Sequence, residues 1–381
     1  MTVRSALEQS VAAGEIGVQV AAYLDGRLVV DEWIGLADRE RGLAVDGDTL
    51  FPVFSVTKAV TATALHVQAE RGLVAYDAPV GTYWPAFAAH GKHAITVRDV
   101  LTHRAGVPQM PAGVTPETMC DWEWMVARIA EEEPVFPPGT QNAYHQLVWG
   151  WIVGEVVRRT DPARRPFSAF VREELCEPLG IADLHLGVPD DALARVAPLY
   201  ADYEPEPDQD ELRERSMPVA VLPGPWVHDR RDVRQASLPG AGAITTARAC
   251  ARLFAMLANG GELDGVRLLS EARLRSLTRP RDDAEQIDAV SRMVAWVGEG
   301  GYWLGSDRPP LGELIGTTPG LLAHPGAGGS IAWADLDRRL AVSICHNRMH
   351  PRPNSVAADW RNPFFAVADA VRAVAWEQAA A

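Results

Sequence analysis

Residues 17 to 24 (GVQVAAYL) and 28 to 36 (LVVDEWIGL) carry apolar side chains at strand density, and Asp25-Gly26 between them is a strong hairpin signal. Ahead of them, residues 3 to 13 place apolar positions at helical spacing. The same period returns from Ser55 to about Arg71, where Gly72 supplies the stop. It also covers 97 to 102, 121 to 132, 145 to 159, 167 to 177, 246 to 259 (ended by Gly260-Gly261) and 363 to 378. Strand patterns occupy 292 to 297, 329 to 335 and 339 to 346, with Asp335 to Arg338 as the turn between the last two. The stretch 202 to 239 fits neither period. It is rich in proline and acidic residues, from Glu204 to Glu211, and reads as a long surface excursion that shapes a pocket mouth.

Strands therefore lie near both ends and helices fill the middle. This order predicts an α+β fold: a central antiparallel sheet with flanking terminal helices, built from 1–54 and 240–381. Residues 55–239 form a mostly helical inserted domain.

Composition narrows the partners. The chain has 381 residues, 47% hydrophobic and 23% charged, the balance of a soluble globular protein. At about 150 residues per domain this is two to three domains' worth of chain. The formal net charge of −14 argues against nucleic acid or an anionic membrane as partner, since both need a positive face. Arg158, Arg159, Arg164 and Arg165 come nearest to a basic patch and read as a solvated helix end and loop. Four cysteines, at 120, 176, 250 and 345, form no C-x-x-C pair, and no His and Cys cluster has zinc spacing, so no metal is expected. The N-terminus lacks an apolar signal core, and no run reaches the roughly 18 apolar residues of a membrane span. A cytoplasmic enzyme is the expectation.

The basic residues hold one anomaly. Of 36 Lys and Arg, only Lys58 and Lys92 are lysine. Lys92 lies in a His-Gly-Lys-His loop and reads as solvent-exposed. Lys58 lies in Ser55-Val56-Thr57-Lys58, where a strand-like run gives way to a helical one. In a first helical turn, positions i and i+3 share a face, so the Lys58 amine can lie against the Ser55 hydroxyl. Serine is a weak nucleophile until a neighbouring base takes its proton. A lysine shielded from water can have its pKa lowered enough to do so. The helix N-terminus also offers free N–H groups to an oxyanion. An ordinary N-cap serine with a surface lysine would show the same four letters, but flanking Phe51, Val53, Phe54, Val56 and Val60 are too apolar for a casual surface.

Further along, Pro137-Pro138-Gly139-Thr140 leads to Tyr144-His145-Gln146, and His324-Pro325-Gly326 precedes a glycine-rich run. With Ser55-x-x-Lys58, these segments resemble, in order, the S-x-x-K, Y-x-N and K-T-G (or H-x-G) motifs of serine hydrolases sharing the class C β-lactamase and penicillin-binding protein fold. The likeness is strongest to their esterase branch, the family VIII carboxylesterases. Leu101 to Gly106 and Pro239 to Phe254 resemble further family segments, so the likeness spans roughly residues 15 to 350. The resemblance implies a β-lactamase/transpeptidase-like fold with the active site at the domain interface. Ser55 would be the acylated nucleophile, and Lys58 and Tyr144 would share proton transfer. The backbone N–H groups of Ser55 and Ala327 would form the oxyanion hole. His324, Gly326, Gln146 and Trp149 would contact substrate, and no cofactor is implied.

Two departures shape the substrate expectation. His324 replaces the K-T-G lysine, removing the permanent charge that would meet a β-lactam carboxylate. Gln146 replaces the Y-x-N asparagine on a longer stem. The expectation is a carboxylesterase acting on small or medium acyl esters. An amidase, acyltransferase or peptide cyclase, a β-lactamase or D,D-peptidase, and a non-catalytic binding module are the alternatives. Trp122, Trp124, Trp151, Trp226 and Trp303 join Trp149 as candidate walls of an acyl pocket. His103 and His145 read as structural. The oligomeric state is not legible.

Overall fold

Alternation along the strands divides the core into two layers. The computed structural model describes residues 1–307, 311–350 and 364–379. Its main sheet has seven strands: β1 (Gly17–Leu24), β2 (Arg27–Asp38), β3 (Leu43–Ala44), β4 (Trp303–Leu304), β5 (Leu321–Pro325), β6 (Ile331–Asp335) and β7 (Leu340–His346). Their order across the sheet is β4-β5-β6-β7-β1-β2-β3, with every neighbouring pair antiparallel. The first and last long strands therefore pair at the centre, with Val20 opposite Ile344.

On β1, Val18, Val20 and Ala22 face one side, where they meet Val342 and Ile344 of β7. That face is covered by Val3 and Leu7 of helix α1 (Val3–Ala12) and by the C-terminal helix, Phe365–Ala379. Position 363 of the expected terminal helix lies outside the described residues. Ala21, Tyr23, Ala341 and Cys345 face the other side, against Leu253, Phe254 and Leu257 of the helix Ala247–Ala258. This is the period-two rule applied at both termini. Gln19 would be a misplaced polar group on that second face. It is satisfied because its amide donates to the Asp46 carbonyl (2.6 Å) and accepts from the Ala247 N–H (2.9 Å) at the helix start.

Helix α2 (Thr57–Glu70) is buried at every position from Thr57 to Ala69, as a helix at the centre of a molecule must be. It packs against α3 (Val148–Thr160). The segment at Pro239-Gly240 comes very close to α3, since a Cβ on Gly150 would stand 2.1 Å from the Gly240 nitrogen. A small sheet of Phe51–Pro52, Ala243–Thr245 and Leu184–Leu186 delivers the chain into the head of α2.

The structure departs from expectation at four places. Residues 292 to 297 form no strand; Val294 and Val297 make only isolated bridges, and the sheet edge is β4. Helix α3 begins at Val148 instead of 145, because side chains already hold the preceding backbone: Tyr144 N–H donates to Asp288 and His145 N–H to His103. The 202–239 excursion is not structureless. It contains short helices at Glu211–Ser216, Pro225–His228 and Arg231–Gln235, and buries Met217, Val221 and Val227. Finally, Lys92 is fully buried. Its ammonium donates to the Ala130 carbonyl (3.0 Å) and the Glu132 carbonyl, closing the C-terminal end of the helix Trp122–Glu131, and it packs on the Phe87 ring. Among the described residues no helix is long and apolar enough to cross a membrane.

Candidate active site

The site is assembled at the head of α2. Phe54 sits in the left-handed region (φ 47°), a conformation that costs a bulky residue on the order of 1–3 kcal/mol. It is held there by a bridge to Gly242 and by edge-on packing of its ring on His228. The turn that follows is tight: Thr57 N–H donates to the Phe54 carbonyl and Lys58 N–H to the Ser55 carbonyl. Ser55, half-buried, and Lys58, fully buried, therefore stand on one face.

Lys58 Nζ lies 3.0 Å from Ser55 Oγ. It also donates to the Gln146 carbonyl (2.6 Å) and the Gly240 carbonyl (3.0 Å). A neutral amine has two N–H bonds and one lone pair. The two carbonyls take both N–H bonds, so the lone pair of the neutral form is left for the Ser55 hydroxyl. Burial, with no compensating carboxylate among the described residues, pushes the Lys58 pKa down to about 7. Tyr144 completes the group. Lys58 Nζ stands 5.2 Å from its ring centroid. Burial raises the phenol pKa, opposed by a hydrogen bond with Ser55, so at neutral pH the phenol keeps its proton.

His324, at the end of β5, is fully buried and tilted against Tyr144, 6.4 Å between ring centroids. Its Nδ1 lies 2.8 Å from the Pro325 carbonyl, which can only accept, so this nitrogen carries the hydrogen. Burial, with the Lys58 charge adding to it, lowers the ring's pKa to about 3. His324 is therefore neutral, and its Nε2 lone pair has no hydrogen-bond partner among the described residues. Next along the chain, a Cβ on Gly326 would stand 2.3 Å from the Val53 carbonyl oxygen. Only glycine lets β5 approach the backbone leading into Ser55 this closely. Ala327 and Gly328 form part of the wall of a cleft of about 490 Å³, whose other side is the 202–239 excursion.

The sequence of this site and its fold coincide with one family: the beta-lactamase profile matches residues 3–363. This protein belongs to the beta-lactamase family. It is a serine hydrolase. It is 36% identical over 348 residues to the "Esterase/beta-lactamase LipL" of Mycobacterium tuberculosis, covering 87% of this chain and 77% of the relative. Among solved structures, a family VIII carboxylesterase superposes with a TM-score of 0.87 at 31% identity, covering 98% of this chain and 96% of that one. A penicillin-binding protein homologue from Caulobacter crescentus gives 0.85 at 33% identity, with the same coverages.

In this beta-lactamase-family chain, Ser55, Lys58, Tyr144 and His324 lie together, and Gly326 packs on the Val53 carbonyl just ahead of Ser55. Gln146 and Trp149 do not take their expected places. The Gln146 amide donates to Ser216 Oγ (2.9 Å), while its backbone carbonyl holds Lys58. Trp149 is fully buried in the core, its ring tilted against His103. Among the described residues the candidate tryptophans are scattered: Trp122 stacks on Phe167, Trp151 is buried, Trp303 meets Tyr144, and Trp226 meets Tyr203, which lines the cleft. Asp288 went unforeseen. Its Oδ1 accepts the backbone N–H of Tyr144 (2.9 Å), Val290 and Ser291, and buried Arg281 lies 3.7 Å from its other oxygen. Arg281 in turn donates to the Thr102 and Ala295 carbonyls. This pair fixes the backbone from which Tyr144 reaches Ser55.

Proposed function

We propose that this protein is a carboxylesterase that hydrolyses neutral esters of small or medium acyl groups through an acyl-enzyme on Ser55. The observation that carries the reading is the placement of the Lys58 lone pair on the Ser55 hydroxyl by two carbonyl acceptors. Lys58 takes the serine proton as Oγ attacks the ester carbonyl. The Ser55 and Ala327 N–H groups receive the oxyanion. As the tetrahedral intermediate collapses, the proton held by Lys58 reaches the leaving alkoxide by way of the Tyr144 phenol. Water then enters, loses a proton to the same groups, and releases the acid.

Two features support neutral esters over β-lactams. A β-lactam carboxylate brought to His324 meets a lone pair instead of a cation. The cleft wall carries Glu204, Glu206, Asp208 and Glu214 against one cation, Arg213, itself paired with Asp208 at 3.1 Å. That field repels an anionic substrate. The names of the relatives, an esterase/beta-lactamase and a family VIII carboxylesterase, agree with ester chemistry.

The test compares kcat/KM for p-nitrophenyl acetate and butyrate with that for nitrocefin, in wild type and Ser55→Ala. Ester turnover exceeding nitrocefin turnover and lost in Ser55→Ala is expected. Nitrocefin turnover without ester turnover would overturn the substrate assignment. Transfer of the acyl group to added alcohols or amines, in place of release of the acid, would make the enzyme an acyltransferase.

A further inference from the structure

Beside the loop that carries Ala327 lies a cluster that the serine mechanism does not use. Glu15 precedes β1, His346 ends β7, and His350 follows shortly after. Glu15 Oε2 stands 2.9 Å from His346 Nδ1, and Glu15 Oε1 stands 2.5 Å from His350 Nε2. The three ligand-capable atoms lie within 4.8 Å of one another. The Glu15 side chain is 0% exposed and His346 2%, while His350 is 26% exposed and lines the cleft. The imidazole rings stack nearly parallel (18°, centroids 5.8 Å apart), both turned to the same carboxylate.

We propose that Glu15, His346 and His350 form a binding site for a divalent transition metal of the zinc type, open on the cleft side. Two imidazole nitrogens and one carboxylate are a donor set that Zn²⁺ takes, and three protein ligands leave a fourth position for water or a ligand entering from the cleft. The frame is held in place without the metal. Glu15 N–H donates to the Ser10 carbonyl (3.0 Å), Gly17 N–H to Asn347 Oδ1 (2.9 Å), His346 N–H to Ser330 Oγ (3.3 Å), and His350 N–H to the Gly328 carbonyl (3.3 Å). Arg348, between the two histidines, donates to the Gly14 carbonyl and to Asp202. On metal binding, each imidazole gives up the N–H it shares with Glu15. That proton is released to solvent, or it moves to the ring's other nitrogen.

The site adjoins the reaction centre. A Cβ on Gly329 would lie 3.0 Å from His346 Cε1 and Nε2, so the imidazole sits directly against the loop that follows Ala327. A metal here would tie together the turn before β1, the end of β7 and the loop carrying an oxyanion donor.

The test is titration of chelator-treated, full-length protein with Zn²⁺ by calorimetry, and with Co²⁺ as an optical probe. One saturable equivalent is expected, with visible Co²⁺ d–d bands. His350→Ala and Glu15→Gln should each weaken binding by more than about 100-fold, beyond the roughly 10–100-fold that loss of an outer-shell partner causes. His90→Ala removes a surface histidine near Glu131 and should bind as wild type does. Ser55→Ala should also bind normally, which separates this site from the esterase mechanism. Circular dichroism establishes that each variant is folded. Glu15 is buried, so His350→Ala, on the cleft wall, is the decisive variant. Absence of saturable binding, or undiminished binding by folded His350→Ala, would refute the site and leave Glu15 as a carboxylate clamped by two imidazoles.

Discussion

Lys58 offers the most quantitative test of the chemistry. With its pKa at about 7, the neutral, proton-accepting form falls to about one-tenth at pH 6 and about one-hundredth at pH 5. The limb is expected to be clean because burial lowers the pKa of the neighbouring histidines, to about 3 for His324, about 4 for His145, and well below the ordinary value for His103. kcat/KM for p-nitrophenyl butyrate, corrected for spontaneous hydrolysis, should climb nearly 10-fold per pH unit below 7 and level off above about 8. Lys58→Arg keeps the charge but cannot release its proton, and should be nearly inactive throughout. The same shift has a stability consequence. The ordinary lysine pKa is 10.5, so below pH 7 both states hold the proton and the native state bears the full cost of burying it. Between about 7 and 10.5 only the unfolded chain binds the proton, so stability rises with pH; above that the term vanishes. From pH 6 to pH 9 wild type should therefore gain about 2–3 kcal/mol relative to Lys58→Met, read from urea unfolding at both pH values. Working with this difference cancels the pH-independent cost of leaving the Gln146 and Gly240 carbonyls without a donor. A flat activity profile from pH 5 to 8, or a stability gap that does not move, would refute the assignment of Lys58 as the base.

Tyr144→Phe removes the proposed proton relay but keeps the ring that packs on His103 and His324; kcat should fall by about 10²–10⁴ with KM little changed, measured on the same ester. Gly326→Ala would place a methyl 2.3 Å from the Val53 carbonyl, displacing the end of β5. The protein should stay folded while fluorophosphonate labelling of Ser55 slows by about 100-fold. Asp288→Asn leaves Arg281 buried without its charge partner and should destabilise the fold by about 3 kcal/mol, seen in urea unfolding, with kcat reduced because the Tyr144 backbone loosens.

What the sequence disclosed follows from what carries a local signal. The central strands were legible because both their faces are buried, which leaves continuous apolar runs, and the terminal helices because their apolar positions recur at 3.6. Ser55 and Lys58 were legible because three residues on one helical turn fix their contact. Tyr144 was visible only through family likeness. The rarity of lysine did not by itself single out Lys58, since Lys92 is buried as well, clamping a helix end through carbonyls that no residue type announces. The same blindness explains Gln146, where the side chain drew notice but the backbone carbonyl holds the lysine. Trp149 carries an aromatic label whether it lines a pocket or fills a core, and only packing decides. Asp288 meets Tyr144 across 144 positions and His346 meets Glu15 across 331, so neither spacing forms a motif.

The central claim is that Ser55 becomes acylated during turnover. It is tested most directly by intact-protein mass spectrometry of the enzyme quenched during hydrolysis of a slow ester, followed by peptide mapping. A mass increase equal to the acyl group, located on Ser55 and missing in Ser55→Ala, is the expected result. Ester turnover that persists in Ser55→Ala, or an acyl adduct mapped to another residue, would contradict it.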